Sequence, residues 1–393
     1  ELAQAGSAGG SCNDLIVVTG NLTLGGTLAV TKADGAAGCG SNFSTGTYTL
    51  FTYTGTLSGS FSTVTMPAGF SARVDTSTAG QVNLIVVNAS SLTYWDTTAG
   101  NNAVNGGTGT WDGATTNWSD SGGTVNGVWP GGTSIATFQG TAGTVTVSGT
   151  QSMGGLTFNT NGYTLTGGTL TLANASGNPF TVSNAGDTAT IASALSGSNV
   201  LSKAGAGTLS LTGSNTSSLT GAITVGAGTL KAQINGSSGL NALGTGAVSV
   251  PGGSTLYLDN TATALNAVIS VNNTITGTGT ITLNFATDAS NNARNTYLNG
   301  ISGFTGTLSL TTASSTADKF NNSAGGSFAG TLIVGNATTL YTNTAASFTV
   351  SGGIQVTGVG NLENRGALRV SNTLNCSSMV MLGNTTVATE GGT

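Results

Sequence analysis

The tripeptide Gly-Thr-Leu returns along this chain at the spacing of a solenoid rung. It stands at Gly207-Thr208-Leu209 and again one such interval later at Gly228-Thr229-Leu230. Related copies lie at Gly26-Thr27-Leu28, Gly168-Thr169-Leu170, Gly306-Thr307-Leu308 and Gly330-Thr331-Leu332. Each leads into alternating small-polar and aliphatic residues and then a Gly or Asn turn, as in GAGTLSLTGSNTSSLTGAITVGAGTL at residues 205–230. Period-two alternation marks strands with one buried face. A unit in the low twenties cannot bury that face alone and must stack on its neighbours, three short strands and three turns at a time. The expectation is an all-β chain whose residues 135–387 form about 12 stacked rungs of about 21 residues, with Val/Ile/Leu inside and Thr/Ser/Asn outside.

Composition supports this. Only 8 Lys/Arg and 13 Asp/Glu occur in 393 residues, about 5% charged where roughly 25% is usual. The 64 glycines do not make a flexible linker, because aliphatic residues recur at nearly every second position. Four prolines are few, as expected when most backbone N–H groups enter sheet ladders. No helical period appears, so helix content should be near nil. The net charge is −5 without a Lys/Arg cluster, which sets nucleic-acid binding aside. No run of 18 apolar residues exists, so no membrane-spanning segment is expected. The chain begins at Glu1 without a charged-then-apolar leader and reads as a processed or excised portion of a longer product.

Three zones follow. Residues 1–90 are a β-rich N-terminal unit, opened by a featureless lead-in over 1–12, that completes or caps a solenoid end. Residues 91–134 are loop-rich and hold all four tryptophans, Trp95, Trp111, Trp118 and Trp129. Residues 135–393 are the repeated rungs. Cys12 and Cys39 flank the first hairpin-like unit, and a disulfide between them is expected, with two buried free thiols as the alternative. Cys376 is then a buried small apolar residue or a cross-link to another chain.

Catalysis finds little material. There is no His, which removes Ser-His-Asp and Cys-His systems and His-based metal sites. Three scattered cysteines hold no cluster, and no Gly-Lys-Ser/Thr makes a phosphate loop. The carboxylates are dispersed. Asp96, Asp112 and Asp120 lie among the tryptophans and could hold Ca²⁺ or a sugar against an aromatic face, but packed tryptophans capping the first rung are the stronger expectation. Arg365 and Arg369 read as solvated charges on one strand face. Thr-x-Thr pairs such as Thr164/Thr166 and Thr169/Thr171 raise an ice-ordering face; irregular rung length argues against aligned threonine ranks.

Residues 205–230, continued by LGTGAVSVPGGSTLYLDN at 243–260, resemble the autotransporter-associated β-strand repeat of bacterial autotransporter passenger domains. The WDGATTNWSD…VWPGGTSIATFQG…VTVSG stretch (111–149) resembles the tryptophan-containing segment that often precedes those repeats. NDLIVVTGNLTLGGTLAV (13–30) with GTYTLFTYTGTLSGSF (46–61) resembles the segment that usually follows them. The resemblance implies a right-handed parallel β-helix, exported from a Gram-negative cell and displayed or released. Two departures stand out: the family's C-terminal barrel is absent, and the usually terminal unit comes first.

The expected function is that of an extracellular structural protein without enzyme activity or cofactor, a fibre or filament subunit assembling head-to-tail through solenoid ends. The alternative is an adhesin binding glycans or host surfaces. Identical subunits and surface glycans are the expected partners.

Overall fold

The computed structural model describes residues 1–33, 42–235, 240–261, 268–285, 295–312, 319–321, 326–342, 347–361 and 365–389. They are built almost wholly of β-strands; the only helical segment among them is a 3-10 turn at Ala89–Ser91. The chain forms two compact units, Glu1–Gly143 and Thr144–Thr393.

The second unit is a parallel β-helix. Its main ladder starts at Thr144–Met153 and runs through Thr164–Leu172, Thr188–Ile191, Thr208–Leu211, Thr229–Asn235, Thr255–Asn260, Thr280–Phe285, Thr307–Thr312, Thr331–Val334 and Ile354–Gly358 to Met379–Thr385, each strand parallel to the next. A second parallel ladder runs from Gly155–Phe158 to Ile275–Thr276, and a third from Val268–Val271 to Val387–Thr389. A short antiparallel pair, Thr229–Asn235 with Leu240–Asn241, interrupts the pattern. Alternation decides which face is inside. Leu209, Leu230, Leu256, Ile281, Leu308 and Leu332 stand in register as one buried aliphatic column, and Leu211, Ala232, Leu258, Leu283, Leu310 and Val334 as another. Each Leu so covered contributes about 1.5–3 kcal/mol relative to exposure.

The Gly-Thr-Leu signature has a physical reason at the corner before these strands. A Cβ at Gly306 would run into the Gly279 carbonyl oxygen, and one at Gly330 into that of Gly306, so successive rungs approach there too closely for a side chain. The threonines that follow align. Thr188, Thr208, Thr229, Thr255, Thr280, Thr307 and Thr331 are Cα partners in one outward column. The expectation that irregular rungs would prevent aligned ranks is therefore wrong. Rung length does vary, the stretch from Thr188 to Thr208 being shorter than that from Thr280 to Thr307. The expected rung of about 21 residues lies at the short end of the range. The extra residues go into the connections and leave ladder register unchanged.

The first unit begins with three short strands, Ile16–Val18, Leu22–Leu24 and Thr27–Ala29. Each lies parallel to one further along the chain: Gly46–Tyr53, Leu57–Gly59 and Thr63–Thr65. Pairing then turns antiparallel, with Gln81–Asn88 between Gly46–Tyr53 and Phe70–Asp75. Leu2, Val30, Tyr48, Leu50, Leu84 and Val86 share its core. The lead-in is not slack. Leu2 is buried and bridges to Lys32, and Asn13 accepts from the Ala3 N–H (2.9 Å) while donating to the carbonyls of Gln4 (2.6 Å) and Ser7 (2.7 Å).

Candidate binding surface

The tryptophans form an interior, not a platform. Strand Tyr94–Trp95 pairs antiparallel with Trp118–Ser119, setting Trp95 opposite Trp118. Trp95, Trp111 and Trp118 have no exposure, and Trp129 has 6%. Trp95 and Trp111 meet Trp118 edge-on at centroid distances of 5.2 and 4.9 Å, Trp129 lies 4.3 Å from Trp118, and Phe138 closes the cluster at 5.8 Å from Trp118. These are favourable aromatic geometries. Trp95 Nε1 donates to the Gly107 carbonyl at 2.8 Å, while the indole N–H groups of Trp111 and Trp118 are buried without a hydrogen-bond partner. No sugar can stack on rings so enclosed.

The three aspartates hold loops. Asp96 is fully buried; Oδ1 accepts from the Thr98 and Asn105 N–H groups (3.1 and 3.2 Å) and Oδ2 from Asn126 Nδ2 (3.2 Å). Asp112 accepts from the Thr115 and Ala114 N–H groups, which lower its pKa. At Asp120 burial raises the pKa, but the donors Val125, Thr124 and Gly122 outweigh it and the net shift is downward. The three do not converge: among the described residues, no three His, Cys, Asp or Glu side chains gather to hold a metal.

What the first unit does present is a polar groove of about 460 Å³ beside this aromatic interior. Thr45, Asn88, Thr93, Tyr94, Asp120 and Ser121 line it. Alternation produces it: where Trp95 points inward, its neighbour Tyr94 is half-buried and faces outward. Asp120 is fixed by its turn, Oδ1 accepting from Thr124 N–H, Thr124 Oγ1 and Val125 N–H (2.9, 2.8 and 2.8 Å). Among the described residues, Oδ2 accepts only from Gly122 N–H (3.1 Å) and keeps acceptor capacity. Sequence reasoning singled out Asp120 but missed Tyr94, Thr93 and Asn88. The inward period of the tryptophans was the available signal.

Elsewhere several cations are spent on structure. Lys203 is inward between Phe180 and Val225 in the second ladder, fully buried, and donates to the carbonyls of Ala204 (2.8 Å), Gly205 (2.8 Å) and Ala227 (3.0 Å). Burial pushes its amine down to about 8. Lys231 pairs with Asp259 Oδ2 at 2.8 Å and lies 5.3 Å from the Tyr257 ring centroid. Of the two arginines expected to be solvated, Arg365 is exposed, whereas Arg369 departs from the expectation, being 3% exposed and stacked 4.5 Å from the Tyr341 ring centroid. Cys12 is disulfide-bonded and Cys376 is a free thiol; Cys39 lies outside the described residues, and the Cys12–Cys39 pairing stands as a proposal.

Comparison with known proteins bears out the resemblance. The chain is 36% identical over 220 residues to the adhesin BmaC autotransporter of Brucella suis biovar 1 (strain 1330), a match covering 53% of this chain. It spans 6% of that relative's length. No family model matches the chain, and no solved structure matches it. The relative is a Gram-negative autotransporter adhesin, and the chain is accordingly an autotransporter-like β-helix of the cell surface or extracellular space.

Proposed function

We propose that this chain is part of a cell-surface adhesin: a stiff parallel β-helix that displays contact surfaces and performs no chemistry. The supporting observation is the 36% identity to an autotransporter adhesin, carried by a chain whose second unit is a ladder of parallel strands. Parallel stacking makes each rung the template for the next, so such a scaffold holds its surface groups at fixed intervals with few charges. The expected fibre-subunit role, with head-to-tail assembly, receives no support from the comparison, and the adhesin alternative takes its place. Within this reading we retain the three-part division: a β-rich unit over 1–90 that completes or caps a solenoid end, a tryptophan-containing segment over 91–134, and rungs over 135–393.

The test is adhesion itself. Beads coated with the purified chain should settle and stay on animal-cell monolayers more than beads coated with albumin. Equal retention would reject the adhesive reading.

A further inference from the structure

The groove of the first unit has the chemistry of a sugar subsite, and we propose that it binds a neutral glycan, resting on the adhesin reading above. Among the described residues, five of its side chains, Thr45, Asn88, Thr93, Tyr94 and Ser121, make no side-chain hydrogen bond, Ser91 Oγ is spent on the Asn88 carbonyl, and Asp120 keeps Oδ2 only partly used. These side chains line one open groove of about 460 Å³, a volume within the usual range for small-ligand pockets. Tyr94 supplies the single aromatic surface, half-buried and held by its strand pairing to Trp118–Ser119. A ring face for sugar C–H groups beside hydroxyl, amide and carboxylate partners for sugar hydroxyls is the pairing a pyranose needs.

Charge selects among glycans. Among the described residues, Asp120 is the only charged side chain lining the groove, and no Lys or Arg does. Sialylated or sulfated glycans would bring a second negative charge beside an uncompensated carboxylate, which costs affinity. A neutral sugar instead offers hydroxyl donors to Oδ2, a charge-assisted hydrogen bond. An extended peptide would look for an unpaired strand edge, whereas here side chains supply the donors and acceptors.

The experiment uses the full chain on an immobilised panel of neutral and acidic glycans, with Tyr94→Ala and Ser121→Arg as variants. Ser121 is exposed, so the arginine obstructs the groove without disturbing the core. Neutral glycans should bind, both variants should bind them at least tenfold more weakly, and near-ultraviolet circular dichroism should show the tryptophan cluster intact in Ser121→Arg. Binding of acidic glycans alone, binding of no neutral glycan, or neutral binding unchanged in Ser121→Arg would overturn the proposal. Cell-adhesion beads separate the two readings. Wild-type beads that adhere while the panel shows no neutral binding reject the glycan subsite and leave the adhesin. Wild-type beads that fail to adhere reject the adhesin, and the panel then decides the groove by itself.

Discussion

Thr208 and Thr229, one rung apart along the chain, are direct Cα partners in the parallel ladder. The same column continues upward through Thr255, Thr280 and Thr307, although each of those intervals is longer than the first. Register is thus a property of the corner and the first strand residues, not of rung length. Where the corner residue is glycine, as at Gly228, Gly279 and Gly306, it admits close stacking, and the aliphatic residue after the threonine fixes which face is buried.

Gly306→Ala should therefore destabilise the second unit by about 1–3 kcal/mol, the range for forcing atoms into a filled site. Its Cβ would meet the Gly279 carbonyl, which is backbone and cannot swing aside. Denaturant unfolding should show the loss, and Thr307→Ser next to it should change stability far less. A Gly306→Ala variant as stable as the parent would contradict the corner argument.

Leu256→Ala removes one member of the buried column between Leu230 and Ile281 and should cost about 2–5 kcal/mol. Thr255→Ala, next to it on the outward face, should cost under about 1 kcal/mol, as is usual away from the core. Comparable losses at the two positions would mean that the alternation is misplaced.

How much of this was legible in the sequence depends on what each residue type must satisfy. The aliphatic alternation and the Gly-Thr-Leu unit report backbone geometry directly, so strands, parallel stacking and near-absence of helix could be read from them. Other side chains answer to partners that the fold, and not the local pattern, brings to them. Asp96 is claimed by Asn126 and Asn105, Arg369 by Tyr341, and nothing local in the sequence announces either. Tyr94 was hidden by its neighbour, since Trp95 draws attention to the position while pointing the other way.

Lys203 gives a pH signature. Its amine titrates at about 8 in the folded chain against 10.5 unfolded. Between those values the unfolded chain holds the proton that the folded chain has released, so the Lys203 contribution to stability rises with pH from about 8 and levels off above 10.5. Below that window both forms are protonated and the burial penalty stays constant. The slope of unfolding free energy against pH over this window should be flatter in Lys203→Met than in the parent. Identical slopes would show that Lys203 keeps an ordinary pKa.

Asp112 and Asp120 act at the other end of the scale. Both are held below the ordinary carboxylate value of 3.8, so the stability they contribute is complete above it and is lost as pH falls through their lowered folded pKa values. Tryptophan fluorescence should therefore report loosening of the first unit under strong acid, and Asp120→Asn should reduce that acid dependence. An unchanged acid profile in Asp120→Asn would contradict the loop-holding role.

The proposed Cys12–Cys39 bridge closes a loop of roughly 25 residues and should stabilise the chain by about 3 kcal/mol in the chain-entropy account. Intact mass with and without reductant and alkylation should show two cysteines protected and one, Cys376, labelled. Three labelled thiols without reductant would remove the bridge.

Surface display tests the adhesive role most directly. The chain is exported on a non-adherent Gram-negative host, and bacteria retained on an animal-cell monolayer under flow are counted against the same host displaying an unrelated β-helix of equal length. The account predicts several-fold greater retention with this chain, abolished by antibodies raised against it. Retention equal to the unrelated β-helix would contradict it.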